Sequence, residues 1–63
     1  MDMNGKEIIK ILKQGNWQIV RVRGSHHLLS NGIKTVSVPV HGKKDIGVGL
    51  LRAIEKQTGV KLK

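Results

Sequence analysis

His26-His27-Leu28-Leu29-Ser30-Asn31-Gly32-Ile33-Lys34-Thr35-Val36-Ser37-Val38 is the stretch on which the fold of this 63-residue chain turns. Asn-Gly between two short runs rich in apolar and β-branched residues is the strongest short-range hairpin signal. The spacing predicts antiparallel strands over His26–Ser30 and Lys34–Val38, joined by the two residues Asn31 and Gly32. Pro39 then closes the later strand or marks an edge. In that register Ser30 faces Ile33, Leu29 faces Lys34, Leu28 faces Thr35, His27 faces Val36 and His26 faces Ser37. Residues that face each other share a side of the sheet. Val36 and Val38 are the apolar set of their strand and belong against the core, so His27 falls on the covered side. His26, with Thr35 and Ser37, falls on the open side, and Leu28 goes with them. A slip of one residue would exchange the two faces completely.

Outward from the hairpin the chain is equally patterned. Trp17–Arg23 is rich in β-branched residues and reads as a preceding strand. Before it, Asn4 and Glu7 have the spacing of a capping box, and Met3 can pack on Ile8 as a hydrophobic staple. Ile8, Ile11 and Leu12, with Ile9 beside them, form the apolar stripe of a helix that Gly15 stops. After the hairpin comes a loop through Val40-His41-Gly42-Lys43-Lys44-Asp45. Leu50, Leu51, Ala53 and Ile54 give a second amphipathic helix ending at Gly59, with Val60 placed for a C-cap contact. Its start, within Ile46-Gly47-Val48-Gly49, has no strong side-chain cap. The order is α-β-β-β-α and the class α+β, with two helices on one face of a three-stranded antiparallel sheet and the other face wet. Ile8, Ile11, Leu12, Trp17, Val36, Val38, Leu51 and Ile54 are the expected core. Met1–Met3 and Lys61–Lys63 read as frayed ends.

The charge balance narrows the partner. Twelve Lys and Arg stand against four Asp and Glu, a formal net charge of +8, which suits a polyanion. One domain over residues 1–63 is expected, and a chain this small buries only about 60% of its unfolded surface. Any site is therefore an open surface, not an internal cavity. There is no cysteine, which removes disulfides, thiolate metal sites and cysteine nucleophiles and fits a cytoplasmic protein. No apolar run approaches the ~20 residues of a membrane span, and the N-terminus lacks the apolar core of a signal peptide. Trp17 is the only aromatic residue, so stacking of bases on an aromatic platform is not expected.

Lys6, Lys10 and Lys13 share one stripe of the first helix, and Arg52 and Lys56 share a face of the last. Such stripes are as readily solvated faces as binding sites. Arg21, Arg23, Lys43 and Lys44 differ because they flank His26 and His41, and these cations suit phosphate contact. Histidine is the side chain best placed to move protons near neutral pH. Beside phosphate-binding cations it suggests cleavage of RNA, whose 2′-hydroxyl is a built-in nucleophile. A histidine pair within a strand is more often structural than catalytic. Gly24 reads as a turn glycine needing a positive φ or giving a substrate close access, and Ser25 as a partner of an imidazole or a strand start. A metal site from His26, His27 and His41 is disfavoured because adjacent strand residues point to opposite faces and no carboxylate lies near them in sequence. No metal or other cofactor is expected.

The string Gly15-Asn16-Trp17, then Arg21, Gly24-Ser25-His26-His27, Val36-Ser37-Val38-Pro39-Val40-His41-Gly42, Leu50-Leu51-Arg52-Ala53-Ile54 and Gln57-Thr58-Gly59 resembles the HicA family, the toxins of bacterial HicA–HicB toxin–antitoxin pairs. The likeness spans about Met3 to Val60. It implies a double-stranded-RNA-binding-domain-like fold, ribosome-independent cleavage of mRNA in the bacterial cytoplasm, and neutralisation by a HicB antitoxin covering the active surface. DNA would be met only indirectly, through the antitoxin. In that family the catalytic histidine directly follows Gly-Ser, here His26. The two glycines at the start of the last helix depart from the family's usual Pro or Ser/Thr. On this reading His26 takes the 2′-hydroxyl proton, with Arg21, Arg23, Gly24, Ser25, His41, Lys43 and Lys44 as candidate RNA contacts. His41, Lys43, Lys44 and Arg21 are the candidates to protonate the leaving oxygen. A non-catalytic double-stranded RNA binder would have the same order and charge, and an interaction module for an acidic protein would share the charge.

Overall fold

The first helix, α1, begins where the sequence supplies partners for its free amides. Asn4 Oδ1 accepts from the Glu7 amide at 2.9 Å, and Glu7 Oε1 accepts from the Asn4 amide at 3.0 Å, a complete capping box. From there α1 runs over Gly5–Gln14 and buries Ile8, Ile9 and Leu12. The computed structural model, which describes residues 3–62, continues with β1 Gln18–Arg23, β2 His26–Ser30, β3 Thr35–Pro39 and α2 Val48–Thr58. The strands lie in the order β1-β2-β3, antiparallel throughout. Both helices pack against β3. One cluster joins Ile8 and Leu12 of α1, Leu51 and Ile54 of α2, Trp17, and Leu29, Val36 and Val38 of the sheet. This is the α-β-β-β-α, α+β arrangement that the periodicities predict, with one covered and one open face.

The hairpin between β2 and β3 corrects the expected register. The loop is four residues long, 31–34, and the pairs are Ser30↔Thr35, Leu29↔Val36, Leu28↔Ser37, His27↔Val38 and His26↔Pro39. Asn31 is the cause. Its Oδ1 accepts from the amides of Ile33 at 2.9 Å and Lys34 at 2.7 Å, and its own amide donates to the Lys34 carbonyl at 3.2 Å. A side chain that bonds its own backbone this way builds a wider turn than Asn-Gly alone would. The ladder is thereby displaced by two residues. Because the side-chain period is also two, every residue keeps its predicted face.

The core is larger than the sequence pattern suggests. Met3, Ile9, Leu29, Ile46 and Leu62 join it, whereas Ile11 is only partly buried against it. Neither described end frays. The Met3 carbonyl accepts from the Ile46 amide at 2.7 Å, and the Leu62 amide donates to Glu55 Oε2 at 2.8 Å. The expectation for Met1, Asp2 and Lys63 lies outside the described residues. Helix α2 starts at Val48 after Gly47, without a side-chain cap, and ends at Gly59 in the left-handed conformation, φ 72°.

Gly5 locks α1 to the end of β3. A Cβ there would meet the Pro39 carbonyl oxygen and come within 2.8 Å of Val40 Cγ2. Replacement by alanine should therefore destabilise the protein, although alanine is the better helix former by about 1 kcal/mol. Leu51→Ala and Ile54→Ala should each cost about 2–5 kcal/mol. Urea denaturation midpoints measure all three. A Gly5→Ala variant as stable as its parent would show that α1 is free to move off Pro39.

Candidate functional site

Arg23 and His26 pair across the hairpin between β1 and β2, leaving Gly24 and Ser25 as its two loop residues. Gly24 has φ 59°, and Asn16 is the only residue other than glycine with a positive φ among those described. A glycine at the first loop position with positive φ, followed by a residue without it, is the pattern of a type II′ hairpin turn, whose twist matches that of the strands. The turn starts β2 on His26, which is exposed, whereas His27 is half-buried. His27 Nδ1 lies 3.3 Å from the Ser25 carbonyl oxygen. A carbonyl can only accept, so the contact is a hydrogen bond in the tautomer that has its proton on this nitrogen. His27 thus faces the covered side, as expected, while the backbone carbonyl of Ser25 serves as an acceptor.

Arg21 and Arg23 reach the open face because of a feature that the sequence pattern does not announce. Ile19 pairs with Leu29, but the next pair is Arg21↔Leu28, so Val20 is an extra residue and the strand bulges. Strict alternation from Ile19 would send Arg21 and Arg23 to the helix side. The bulge re-aims them, giving the pairs Arg21↔Leu28 and Arg23↔His26 on the side shared by Ser37 and Pro39.

The chain beyond β3 closes on the same end of the sheet. Pro39 has no amide to give, but the Val40 amide donates to the Ser25 carbonyl at 2.7 Å. That bond carries the β2–β3 register one step past the ladder. Val40 packs against the core, and the exposed His41 follows it, one residue past the bond to Ser25. The Lys44 amide donates to the His41 carbonyl at 3.0 Å, and Gly42, with φ 59°, makes the tight turn that sets Lys43 and Lys44 beside His41.

The structure therefore gathers Arg21, Arg23, Gly24, Ser25, His26, His41, Lys43 and Lys44 at one end of the sheet. All but Ser25 are exposed. Of the four acidic residues, Glu7 and Glu55 are engaged by the amides of Asn4 and Leu62. Lys6, Lys10 and Lys13 sit on the exposed side of α1, away from the open face of the sheet. A concavity lined by Lys13, Trp17, Gln18 and Ile19 lies toward the opposite end of β1 and holds no histidine or carboxylate. Among the described residues, no three His, Cys, Asp or Glu side chains are grouped as a metal site would need, and no helix is long and apolar enough to cross a membrane.

No curated protein matches the chain. A family model described as the HicA toxin of bacterial toxin–antitoxin systems matches residues 5–60. The matched span takes in both helices, all three strands and the whole cluster at the end of the sheet, and on it the chain belongs to the HicA toxin family.

Proposed function

We propose that this toxin is a ribosome-independent mRNA endonuclease that works by metal-free transesterification, with His26 as the general base. The observation that carries the reading is the placement of an exposed imidazole at the start of β2, directly opposite Arg23 and on the face that the bulge gives to Arg21. The cations bind and neutralise the scissile phosphate. His26 takes the 2′-hydroxyl proton, the 2′-oxygen attacks phosphorus, and the bond from phosphorus to the 5′-oxygen breaks. The fragments end in a 2′,3′-cyclic phosphate and, once a second group has supplied a proton, a 5′-hydroxyl. Lys43, Lys44 and the backbone at Gly24 and Ser25 hold the strand. A HicB antitoxin neutralises the toxin by covering this same basic face, and residues 1–63 act as one cytoplasmic domain without a metal or other cofactor.

Removal of a general base typically costs about 10² to 10⁴ in rate. His26→Ala should show that loss in cleavage of a defined RNA, and relieve growth arrest, while its circular dichroism and antitoxin binding match the parent. The exposed side chain leaves no cavity when removed. Wild-type cleavage should persist in EDTA and yield cyclic phosphate ends. Equal cleavage by a folded His26→Ala variant would overturn the mechanism and favour a non-catalytic RNA-binding module.

Affinity for RNA should be largely electrostatic, with the logarithmic salt slope set by about 0.7 per phosphate contact on a single strand. Lys43→Ala combined with Lys44→Ala should flatten that slope in a binding titration across salt concentrations. An unchanged slope would remove this turn from the RNA surface.

A further inference from the structure

We infer that His41 is the second catalytic residue, the general acid that protonates the leaving 5′-oxygen; this rests on the ribonuclease reading above and adds the group which that reading lacks. The pairing His26↔Pro39 and the bond from the Val40 amide to the Ser25 carbonyl, 2.7 Å, fix the local register. Carried one residue further, that register would bring His41 opposite Gly24, one diagonal step from His26. Diagonal neighbours on one face of an antiparallel pair lie about 7–8 Å apart, within reach of long and aromatic side chains. Two imidazoles at that separation can flank a phosphate, one beside the 2′-oxygen and the other beside the 5′-oxygen.

The alternation along the chain gives the same answer. Val36 and Val38 are in the core and Val40 packs against it, whereas Ser37 and Pro39 take the other side, and the same alternation carried on to residue 41 puts His41 with them. The backbone beside each histidine is bare of side chains. Gly24 and Gly42 have no side chain, and a Cβ built on either would meet nothing within 4 Å. The remaining cations of this end are poorer proton donors near neutrality than an imidazolium. An arginine does not give up its proton in proteins, and Lys43 and Lys44, in the turn that His41 opens, are suited to hold phosphate as point charges.

The step balances without any further reagent. As the bond from phosphorus to the 5′-oxygen breaks, the proton on the His41 imidazolium passes to that oxygen, while His26 keeps the proton taken from the 2′-hydroxyl. Each turnover leaves His26 protonated and His41 neutral, and exchange with water restores both.

The test replaces the leaving oxygen. In an RNA with a 5′-bridging sulfur at one linkage, the thiolate departs without protonation. His41→Ala should lower single-turnover cleavage of the ordinary RNA by about 10² to 10⁴ and recover to within a few-fold of wild type on the sulfur-bridged RNA. His26→Ala should remain slow on both. His41→Gln, which retains hydrogen bonding without an acid, should behave as His41→Ala. Equal loss on both RNAs would make His41 an RNA contact and overturn the acid role, as would undiminished cleavage of the ordinary RNA. Failure of the wild-type protein to cleave either RNA would instead overturn the ribonuclease reading itself.

Discussion

The alternation of side chains along β2, the central strand, is the constraint on which the rest depends. Leu29 is fully buried, so every second residue must follow it to the helix side, and His27 does. The residues between go to the open side, which puts His26 at the strand's first position with solvent before it. In a sheet of three strands the middle one has a neighbour on each edge, and both inherit its facing. On one edge Val36 and Val38 are drawn inward. On the other, β1 accommodates Ile19 in the core and its arginines outside it only by inserting Val20. The bulge is thus the local cost of reconciling an apolar residue and two cations, spaced at intervals of two, with the two faces of one sheet.

Much of this was legible in the sequence because its signals are local. The Asn4–Glu7 cap, the apolar stripes, the stop at Gly15 and the left-handed Gly59 all depend on a few neighbouring residues. The hairpin register was not legible. Asn31 has two uses, as a turn residue with Gly32 and as an acceptor for Ile33 and Lys34, and only the folded geometry reveals the second. The faces survived that error because the displacement was even. The β1 bulge was hidden for a different reason: Ile19, Arg21 and Arg23 alternate regularly, and nothing in their spacing shows where the alternation breaks. Ile46 and Leu62 lie outside the periodic segments, so no pattern marks them as core, and Met3, expected as a staple on Ile8, also enters the core cluster.

For so small a chain, the placement of the candidate site on an open face follows from the size of the core. Among the described residues twelve hydrophobic ones are buried, drawn from every helix and strand but β1, and little interior is left for an enclosed pocket. Charge takes the place of enclosure. A polyanion can be held on a flat surface by dispersed cations, because each phosphate contact contributes through release of counterions and requires no cavity. On the proposed reading, the same openness would let a partner that lies over the sheet exclude the nucleic acid. Val20, the bulge residue, and Val22, which pairs with His27 on the helix side, are also exposed on the edge strand.

Stability and the candidate site meet at Val40. Its side chain packs against the core, its Cγ2 lies where a Cβ on Gly5 would collide, and its amide holds the Ser25 carbonyl that His27 Nδ1 also approaches. The β1–β2 turn, the end of β3 and the start of α1 therefore share one anchor. His41 is the next residue, so its position is set by contacts made on the far side of the sheet from it. A change in packing beneath the sheet would move His41 relative to His26 without touching either histidine, and the spacing of the two imidazoles is as much a property of the core as of the surface on which they stand.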